Sequence, residues 1–187
     1  NTLKVAAKCN FEFETGVDKY PKYEATPDVV DYFKSSDTKE IITKLAHAKL
    51  KQKLSIYRKN NIVKVTPEVE QQYKDRLDYE LQVIDDKKML DYFLVVWELI
   101  RFCQKESIGV GPGRGSSAGC LLAWCLDITE IDSIRFGLYF ERFLNPTRKG
   151  APDIDIDFEA GTDDKTLQFL YDKYGKERVV PVVTFGT

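Results

Sequence analysis

Apolar side chains recur at three- and four-residue steps along much of the chain, the spacing typical of amphipathic helices. The clearest example begins at Thr66, an expected N-cap residue followed by Pro67, and continues to about Asp85. Residues 92–105 are apolar almost all round, and their length favours a buried helix over a strand. The pattern predicts helices within 1–13 and over 38–59, 66–85, 92–105, 120–126 and about 163–174.

Other segments have the short or alternating patterns of strands. Residues 152–158 alternate aspartate with isoleucine or phenylalanine, while 108–110 and 178–185 are apolar runs. Residues 132–143 are expected to add further side chains to the core, namely Phe136, Leu138, Tyr139, Phe140 and Phe143. Together the two kinds of segment predict an α+β fold, a small mixed sheet with helices packed on it.

The alternating aspartates are the most informative chemical feature of the chain. In an extended strand Asp153, Asp155 and Asp157 share one face, with neighbours about 6.6 Å apart. At an effective dielectric of about 20, each neighbouring pair repels by roughly 2.5 kcal/mol, so a counter-charge is expected. Mg²⁺ is the natural one, because it binds carboxylates together with substrate phosphates. The alternatives are a calcium site, or a solvated edge whose charges block aggregation.

A glycine-rich stretch at 109–119 precedes the aspartates. Four glycines within its first seven residues, 109–115, let the backbone approach a ligand closely. The stretch leads into the predicted helix 120–126, whose N-terminus suits a phosphate, and Arg114 adds a cation. It is neither a Walker A loop nor a dinucleotide fingerprint, because no Lys follows the last glycine and the glycines are spaced G-x-G-x-G. Ser116 is a candidate N-cap of that helix.

A phosphate cradle at 109–119 followed by the paired carboxylates of 152–158 is the combination that phosphoryl transfer requires, because that reaction depends on positioning and charge neutralisation. The net charge of −2 gives no general basic field, so nucleic-acid binding requires a local patch or further parts of a larger protein. The four cysteines lack C-x-x-C spacing, which indicates a reducing, cytoplasmic compartment. No secretory signal or membrane-length apolar run is present in the sequence. Because the chain begins without Met and stops after an apolar run, we expect it to be a fragment.

Four short motifs occur in a fixed order along the chain. They are GPGRGS at 111–116, FERFLNP at 140–146, PDIDIDF at 152–158 and TFGT at 184–187. In this order and spacing they resemble the palm region of the bacterial DNA polymerase III alpha subunits, the C-family replicative polymerases. The likeness is strong over roughly residues 66–187 and weaker before them. It implies a palm related to the DNA polymerase beta-like nucleotidyltransferases.

This resemblance implies roles for individual residues. Asp153 and Asp155 are similar to the first two catalytic aspartates of the family, which bind two Mg²⁺ ions. Gly115 and Ser116 resemble the motif that cradles the triphosphate of the incoming nucleotide. The further phosphate contacts that it implies are Arg114, Arg142 and Arg148. Asp157 lies on the same face, but the third catalytic aspartate of the family comes from a later strand.

The resemblance also implies a domain organisation and partners. Residues 1–22 are expected to be the tail of a preceding PHP domain and a connector, and 23–187 a partial palm without fingers or most of the thumb. The implied activity is template-directed DNA synthesis by two-metal nucleotidyl transfer, with the fragment inactive alone. The implied substrates are primer–template DNA and deoxynucleoside triphosphates. A sliding clamp and other replisome subunits are the expected partners of the full-length protein.

Two alternatives remain open at this point. Arg142 has a structural alternative, an ion pair with Glu141 or Asp127. The chain as a whole has a functional one, as another nucleotidyltransferase or as a non-catalytic module that binds nucleotide or metal. The smaller transferases place their Gly-Ser motif about a dozen residues before the aspartates, whereas Ser116 and Asp153 are much further apart.

Overall fold

The computed structural model describes residues 1–12, 21–145, 147 and 152–180. The helices in these ranges are α1 (Thr2–Ala6), α2 (Pro27–Phe33), α3 (Thr38–Lys59), α4 (Pro67–Asp86), α5 (Leu90–Lys105), α6 (Leu121–Cys125) and α7 (Asp163–Tyr174). Two 3₁₀ turns also occur, Gly115–Gly119, called the glycine turn below, and Phe140–Arg142. The helices predicted from the spacing are confirmed, whereas α2 was not predicted. No helix in the described ranges has the length and apolarity that crossing a bilayer requires.

Capping residues fix where the two longest helices begin. The Asp37 carboxylate accepts a hydrogen bond from the backbone N–H of Glu40 at 2.8 Å. The Thr66 hydroxyl accepts one from the N–H of Val69 at 3.3 Å, and Pro67 occupies the first helical position. Each cap satisfies an N–H group that has no partner within its helix. The predicted start at Thr66 is therefore confirmed.

The core lies where α3 and α4 pack on the short helix α6, all of whose residues are buried, and α5 packs against α3 and α4. The ring of Trp124 in α6 lies 5.6 Å from that of Tyr57 and 6.1 Å from that of Tyr73, measured between centroids. Both tyrosine hydroxyls donate hydrogen bonds to the buried Asp132 carboxylate, at 2.9 and 2.6 Å. The aromatic side chains thus fill the core while their polar ends stay paired.

The expectation of an α+β fold with a small mixed sheet is wrong. Within the described ranges the structure has no strand, and the only β pairing is an isolated antiparallel bridge between Val110 and Phe158. Beside this bridge Gly111 N donates to the Asp157 carbonyl at 2.9 Å. The N–H of Glu159 donates to a carbonyl of the opposite segment at 2.8 Å. The extended residues 152–158, called the aspartate segment below, therefore have backbone hydrogen-bond partners on a neighbouring segment over only a few residues.

Pro112 explains why this pairing stops. Proline has no N–H to donate to a neighbouring strand. Its carbonyl accepts hydrogen bonds from the Thr129 hydroxyl at 3.0 Å and from the Glu130 N–H at 2.7 Å. The backbone is thus hydrogen-bonded to the loop after α6, and its pairing with the aspartate segment ends, although Gly115 still lies beside Asp155. Most of the predicted strand 178–185 lies outside the described residues.

Candidate functional site

The side chains of the aspartate segment alternate between solvent and core. Asp153, Asp155 and Asp157 are exposed, whereas the residues between and after them are partly buried. The two isoleucines pack against the main helical core, and the phenylalanine packs against a smaller apolar cluster beside α5. The prediction that three carboxylates share one face is confirmed, although helices rather than a sheet support them.

Tyr92 of α5 holds the aspartate segment in place. The backbone N–H of Ile154 donates a hydrogen bond to the Tyr92 hydroxyl at 3.1 Å. Burial raises the pKa of Tyr92, and the nearby charges of Asp153 and Asp155 raise it further. The tyrosine therefore anchors the backbone between the two carboxylates and lies within the electrostatic reach of both.

The glycine-rich stretch runs alongside the acidic residues, glycine against carboxylate. The facing pairs are Gly109 with Glu159, Gly111 with Asp157, and Gly115 with Asp155. A β-carbon at Gly115 would lie 2.6 Å from Oδ2 of Asp155, which is closer than real β-carbon contacts. Gly115 also has a φ of +63°, in the left-handed region that favours glycine. The absence of a side chain here lets the Asp155 carboxylate lie directly against the glycine turn.

A cleft of about 440 Å³ opens beside the glycine turn. Its lining includes Gly115, Ser116, Tyr139 and Arg142. The Ser116 side chain is exposed, and neither the glycine turn nor α6 has it as its capping residue. The structure thus brings together three of the residues expected to contact phosphate, while Arg148 lies outside the described residues.

The N-terminus of α6 is already occupied by a protein carboxylate. The N–H of Leu122 donates to Oε2 of Glu80 at 2.9 Å, and the Cys120 thiol donates to the same oxygen at 3.3 Å. Burial raises the pKa of the Glu80 carboxyl, and its hydrogen bonds to α6 and to Arg76 act in the opposite direction. The expectation that this helix end would bind phosphate is therefore wrong. If an anion bound here, its backbone donors would have to come from the glycine turn and not from α6.

Arg142 is exposed and has no ion pair among the described residues. The carboxylates that a structural role would use have other partners. Asp127 binds two lysines of α3 at 2.6 Å each, and Glu141 accepts a hydrogen bond from the Tyr79 hydroxyl at 3.3 Å. The geometry therefore favours a guanidinium available to the cleft over a structural ion pair.

Arg114 differs from Arg142 because it has a protein partner. Its Nη1 lies 2.9 Å from Oδ1 of Asp157, and both side chains are more than half exposed. Hydrogen bonding and charge attraction to Asp157, together with the charge of Asp155, raise the pKa of Arg114. A surface ion pair of this kind is weak in water. Arg114 can therefore exchange Asp157 for a phosphate at little cost.

Two aromatic side chains expected in the core are exposed instead. Phe136 is 59% exposed and Tyr139 is 70% exposed, whereas Phe140 and Phe143 are buried as predicted. The exposed Tyr139 belongs to the lining of the cleft. The cleft thus combines polar groups suited to phosphate with an aromatic wall.

The donor set of Asp153 and Asp155 suits Mg²⁺, a hard cation that takes oxygen ligands. Both carboxylates are exposed, and at Gly115 the missing β-carbon leaves room beside Asp155. Among the described residues, no group of three or more His, Cys, Asp and Glu side chains is arranged to hold a metal ion. The two carboxylates would therefore need further oxygen ligands, such as phosphate, water or another residue.

Three residues near the site were not predicted from the sequence. Tyr92 lies in the first turn of the apolar helix α5 and gave no signal beyond its hydroxyl. Arg76 and Glu80 form an ion pair on α4 at 2.6 Å. Glu80 could have been noticed, because it lies three residues after Leu77, on the apolar stripe of the helix.

Comparison with known proteins identifies the family of the chain. Residues 40–187 match the family model of the bacterial DNA polymerase III alpha NTPase domain. The DNA polymerase III subunit alpha of Chlamydia pneumoniae is 38% identical over 196 residues, covering 100% of this chain and 16% of that protein. That of Ureaplasma parvum is 44% identical over 157 residues, covering 84% of this chain and 15% of that protein.

A third relative, the DNA polymerase III subunit alpha of Helicobacter pylori strain J99, is 39% identical over 192 residues, covering 100% of this chain and 15% of that protein. The chain thus spans about one sixth of the length of the curated relatives that it matches. The resemblance drawn from the four motifs is confirmed. The chain belongs to the bacterial DNA polymerase III alpha family.

Proposed function

We propose that this chain is part of the palm region of a bacterial replicative DNA polymerase and carries two of its catalytic carboxylates. The observation that carries the proposal is the contact between the Asp155 carboxylate and Gly115 of the glycine turn. Nucleotidyl transfer needs carboxylates beside the phosphates of the incoming nucleotide, and this contact supports the proposal because it puts a carboxylate beside the turn that would hold those phosphates. Family membership supports the same activity.

Within this proposal Asp153 and Asp155 hold Mg²⁺. When bound there, Mg²⁺ would favour loss of the proton from a primer 3′-hydroxyl and neutralise charge on a triphosphate. The protein contributes the position of these carboxylates. The apolar side of the segment is fixed by the core, and its backbone is fixed by the Tyr92 hydroxyl.

The glycine turn and the arginines would hold the triphosphate. Gly115 and Ser116 line the cleft, where their backbone N–H groups and the Ser116 hydroxyl would bind phosphate oxygens. Arg142 would neutralise charge that develops on the leaving pyrophosphate, a stabilisation worth a few kcal/mol in comparable sites. Arg114 would join it after releasing Asp157, and Arg148 is a further candidate outside the described residues.

The wider organisation is part of the same proposal. Residues 1–22 would be the tail of a PHP domain with its connector, and 23–187 part of the palm region. Primer–template DNA and deoxynucleoside triphosphates would be the substrates of the full-length protein, and a sliding clamp and other replisome subunits its partners. A cytoplasmic setting is supported by the four free cysteines.

Primer extension with the full-length polypeptide tests the proposal. Asp153→Asn and Asp155→Asn should each lower the rate of incorporation by at least about 10²-fold, because an amide is a poor substitute for a carboxylate ligand. Asp164→Asn, an exposed position in the first turn of α7, is the matched control and should stay within about twofold of wild type. Incorporation by Asp155→Asn within tenfold of wild type would refute the assignment.

A second measurement separates metal binding from activity. Electron paramagnetic resonance with Mn²⁺ as a spin probe should show weaker Mn²⁺ binding to Asp153→Asn and Asp155→Asn than to wild type, in the presence of a deoxynucleoside triphosphate. Nucleotide and Mn²⁺ binding by a wild-type protein that incorporates nothing would instead support the non-catalytic binding module. Equal Mn²⁺ binding by all variants would remove both aspartates from the proposed metal site.

A further inference from the structure

Glu80 on α4 is a fully buried carboxylate in an otherwise apolar part of the core. It accepts hydrogen bonds from the N–H of Leu122 at 2.9 Å and from the Cys120 thiol at 3.3 Å. Its second oxygen accepts one from Nε of Arg76 at 2.6 Å. Glu80 therefore ties α4 to the start of α6, directly after the glycine turn.

Arg76 extends this link to the other side of the cleft. Its Nη2 donates to the carbonyl of Gly119 at 3.2 Å and to the carbonyl of Leu138 at 3.4 Å. Gly119 and Leu138 belong to opposite walls of the cleft, since one ends the glycine turn and the other precedes the second 3₁₀ turn. The guanidinium also lies over the Phe140 ring, 5.9 Å from its centroid. One side chain thus joins both walls.

The walls approach so closely that a side chain at the junction would not fit. A β-carbon at Gly119 would lie 2.8 Å from the carbonyl oxygen of Tyr139. The distance between the walls is therefore set by backbone contact on one side and by Arg76 on the other. Ser116 and Arg142 line the cleft beside this junction.

Stability alone does not account for a buried ion pair here. Replacing such a pair by well-packed apolar side chains is often neutral or stabilising, whereas removing one partner is strongly destabilising. What the pair adds is geometry, because guanidinium and carboxylate donate and accept along fixed directions. Arg76 and Glu80 satisfy donors and carbonyls on three separate segments at once.

We propose that Arg76 and Glu80 are positioning residues that hold the two walls of the nucleotide cleft at the separation a triphosphate requires. The cleft's role in binding a triphosphate rests on the function proposed above. The hydrogen bonds by which Arg76 and Glu80 join the two walls, called the clamp below, are a property of the fold. Neither residue touches substrate. Both act through the backbone of the glycine turn and of residues 138–140.

The decisive variant is Arg76→Lys in the full-length polypeptide. Lysine keeps a positive charge beside Glu80, but its single ammonium group lacks the planar fork that reaches both carbonyls. We expect the KM for deoxynucleoside triphosphate to rise about tenfold while kcat stays within about threefold, the pattern expected when ground-state and transition-state binding weaken equally. Arg58→Lys is the matched control, because Arg58 pairs with Glu70 of α4 on an exposed face away from the cleft.

Hydrogen exchange followed by mass spectrometry tests the clamp without any reference to activity. In Arg76→Lys, exchange should speed up together in residues 115–122 and 137–144 and stay unchanged in α3. Glu80→Gln is the second variant, since its amide keeps one acceptor for α6 but places a donor against Arg76. It should speed exchange in the same two segments.

The outcomes separate the clamp from the proposed function. Faster exchange in both walls with a raised KM supports the clamp. Unchanged exchange, faster exchange in one wall only, or faster exchange throughout the protein overturns it, as does a KM equal to that of Arg58→Lys. A wild-type protein that incorporates no nucleotide would refute the polymerase function, and the exchange data would still decide on the clamp.

Discussion

The Asp155 carboxylate lies against Gly115 so closely that a β-carbon at Gly115 would be 2.6 Å from Oδ2. The two residues belong to motifs far apart in the sequence, a glycine-rich stretch and a run of alternating aspartates. The contact gives each motif a reason for its composition. Glycine suits the turn because its φ is +63° and a carboxylate lies beside it, and within the proposed function that carboxylate would face a phosphate bound in the cleft.

Gly115→Ala should therefore separate the carboxylate from the turn. We expect nucleotide incorporation by the full-length polypeptide to fall about 10²-fold, since displacing a catalytic group by about 1 Å has effects of that size. Single-turnover primer extension at saturating nucleotide measures the change. A variant with an unchanged rate would show that the close contact is not needed for function.

The control for this prediction is Gly161→Ala. Gly161 also has a left-handed backbone, with φ of +83°, but a β-carbon there would meet nothing within 4 Å. Alanine at position 161 would bear a backbone strain of roughly 1–2 kcal/mol, similar to that at position 115, but without the clash. Its incorporation rate should equal that of wild type. If both variants lost activity equally, general destabilisation would be the cause.

Asp157→Asn should lower the KM for deoxynucleoside triphosphate. In the structure Asp157 pairs with the Arg114 guanidinium. A triphosphate that bound Arg114 would first have to displace the Asp157 carboxylate. Since an exposed ion pair is weak, we expect the KM to fall by no more than about fivefold. Steady-state primer extension over a range of nucleotide concentrations gives this value.

The matched variant Arg114→Met should act in the opposite direction and raise the same KM. It removes the cation but keeps an unbranched side chain of similar length. A raised KM for Asp157→Asn would contradict the exchange of partners and would place Asp157 among the groups that help to bind the nucleotide.

The helices could be predicted from the sequence, whereas the absence of a sheet from the described residues could not. Spacing of apolar residues and the Thr66–Pro67 start are local signals, and α4 follows them. The alternation of 152–158 correctly predicted which side chains share a face. It says nothing about a neighbouring strand. The segment pairs with the glycine-rich stretch only around Val110, and at Pro112 the backbone is hydrogen-bonded to the loop after α6 instead. An extended segment packed on helices has the same pattern as a strand.

The candidate site was predictable in its residue types and less so in its contacts. The motifs indicated Asp155, Gly115 and Arg142, and the structure brings the last two to one cleft. Whether Arg114 would bind Asp157 or stay free depends on distances that no spacing rule supplies. The role of Glu80 in occupying the N-terminus of α6 depends in the same way on tertiary packing.

Three of the four cysteines should be inert in the folded protein. Cys103, Cys120 and Cys125 are buried, and burial raises the pKa of each thiol, whereas Cys9 is exposed. We expect iodoacetamide at pH 8 to alkylate Cys9 at least about 100-fold faster than the others, because the thiolate is the reactive form. Peptide mass spectrometry gives the rates. In denaturant all four should react alike, and rapid labelling of Cys125 without denaturant would contradict its burial.

Asp127→Asn should flatten the acid side of the stability profile. Burial alone would raise the pKa of Asp127, but hydrogen bonds and charge attraction from Lys49 and Lys53 bring it below its ordinary 3.8. Because its pKa is lower in the folded than in the unfolded state, Asp127 binds protons more readily when the protein is unfolded, and acid therefore favours unfolding. The stabilisation is therefore complete above about pH 5 and is lost as the pH falls through the folded pKa.

Urea unfolding from pH 7 to pH 3 measures this loss by tryptophan fluorescence, and Lys53 Nζ lies 4.7 Å from the Trp124 ring centroid. At pH 7 Asp127→Asn should lower the free energy of unfolding by about 1–2 kcal/mol, because two partly buried lysines lose their counter-charge. Near pH 3 the difference from wild type should shrink. Asp31→Asn on α2 is the exposed control and should parallel wild type throughout. A constant difference between Asp127→Asn and wild type across this range would show that the carboxylate charge is not what stabilises the fold.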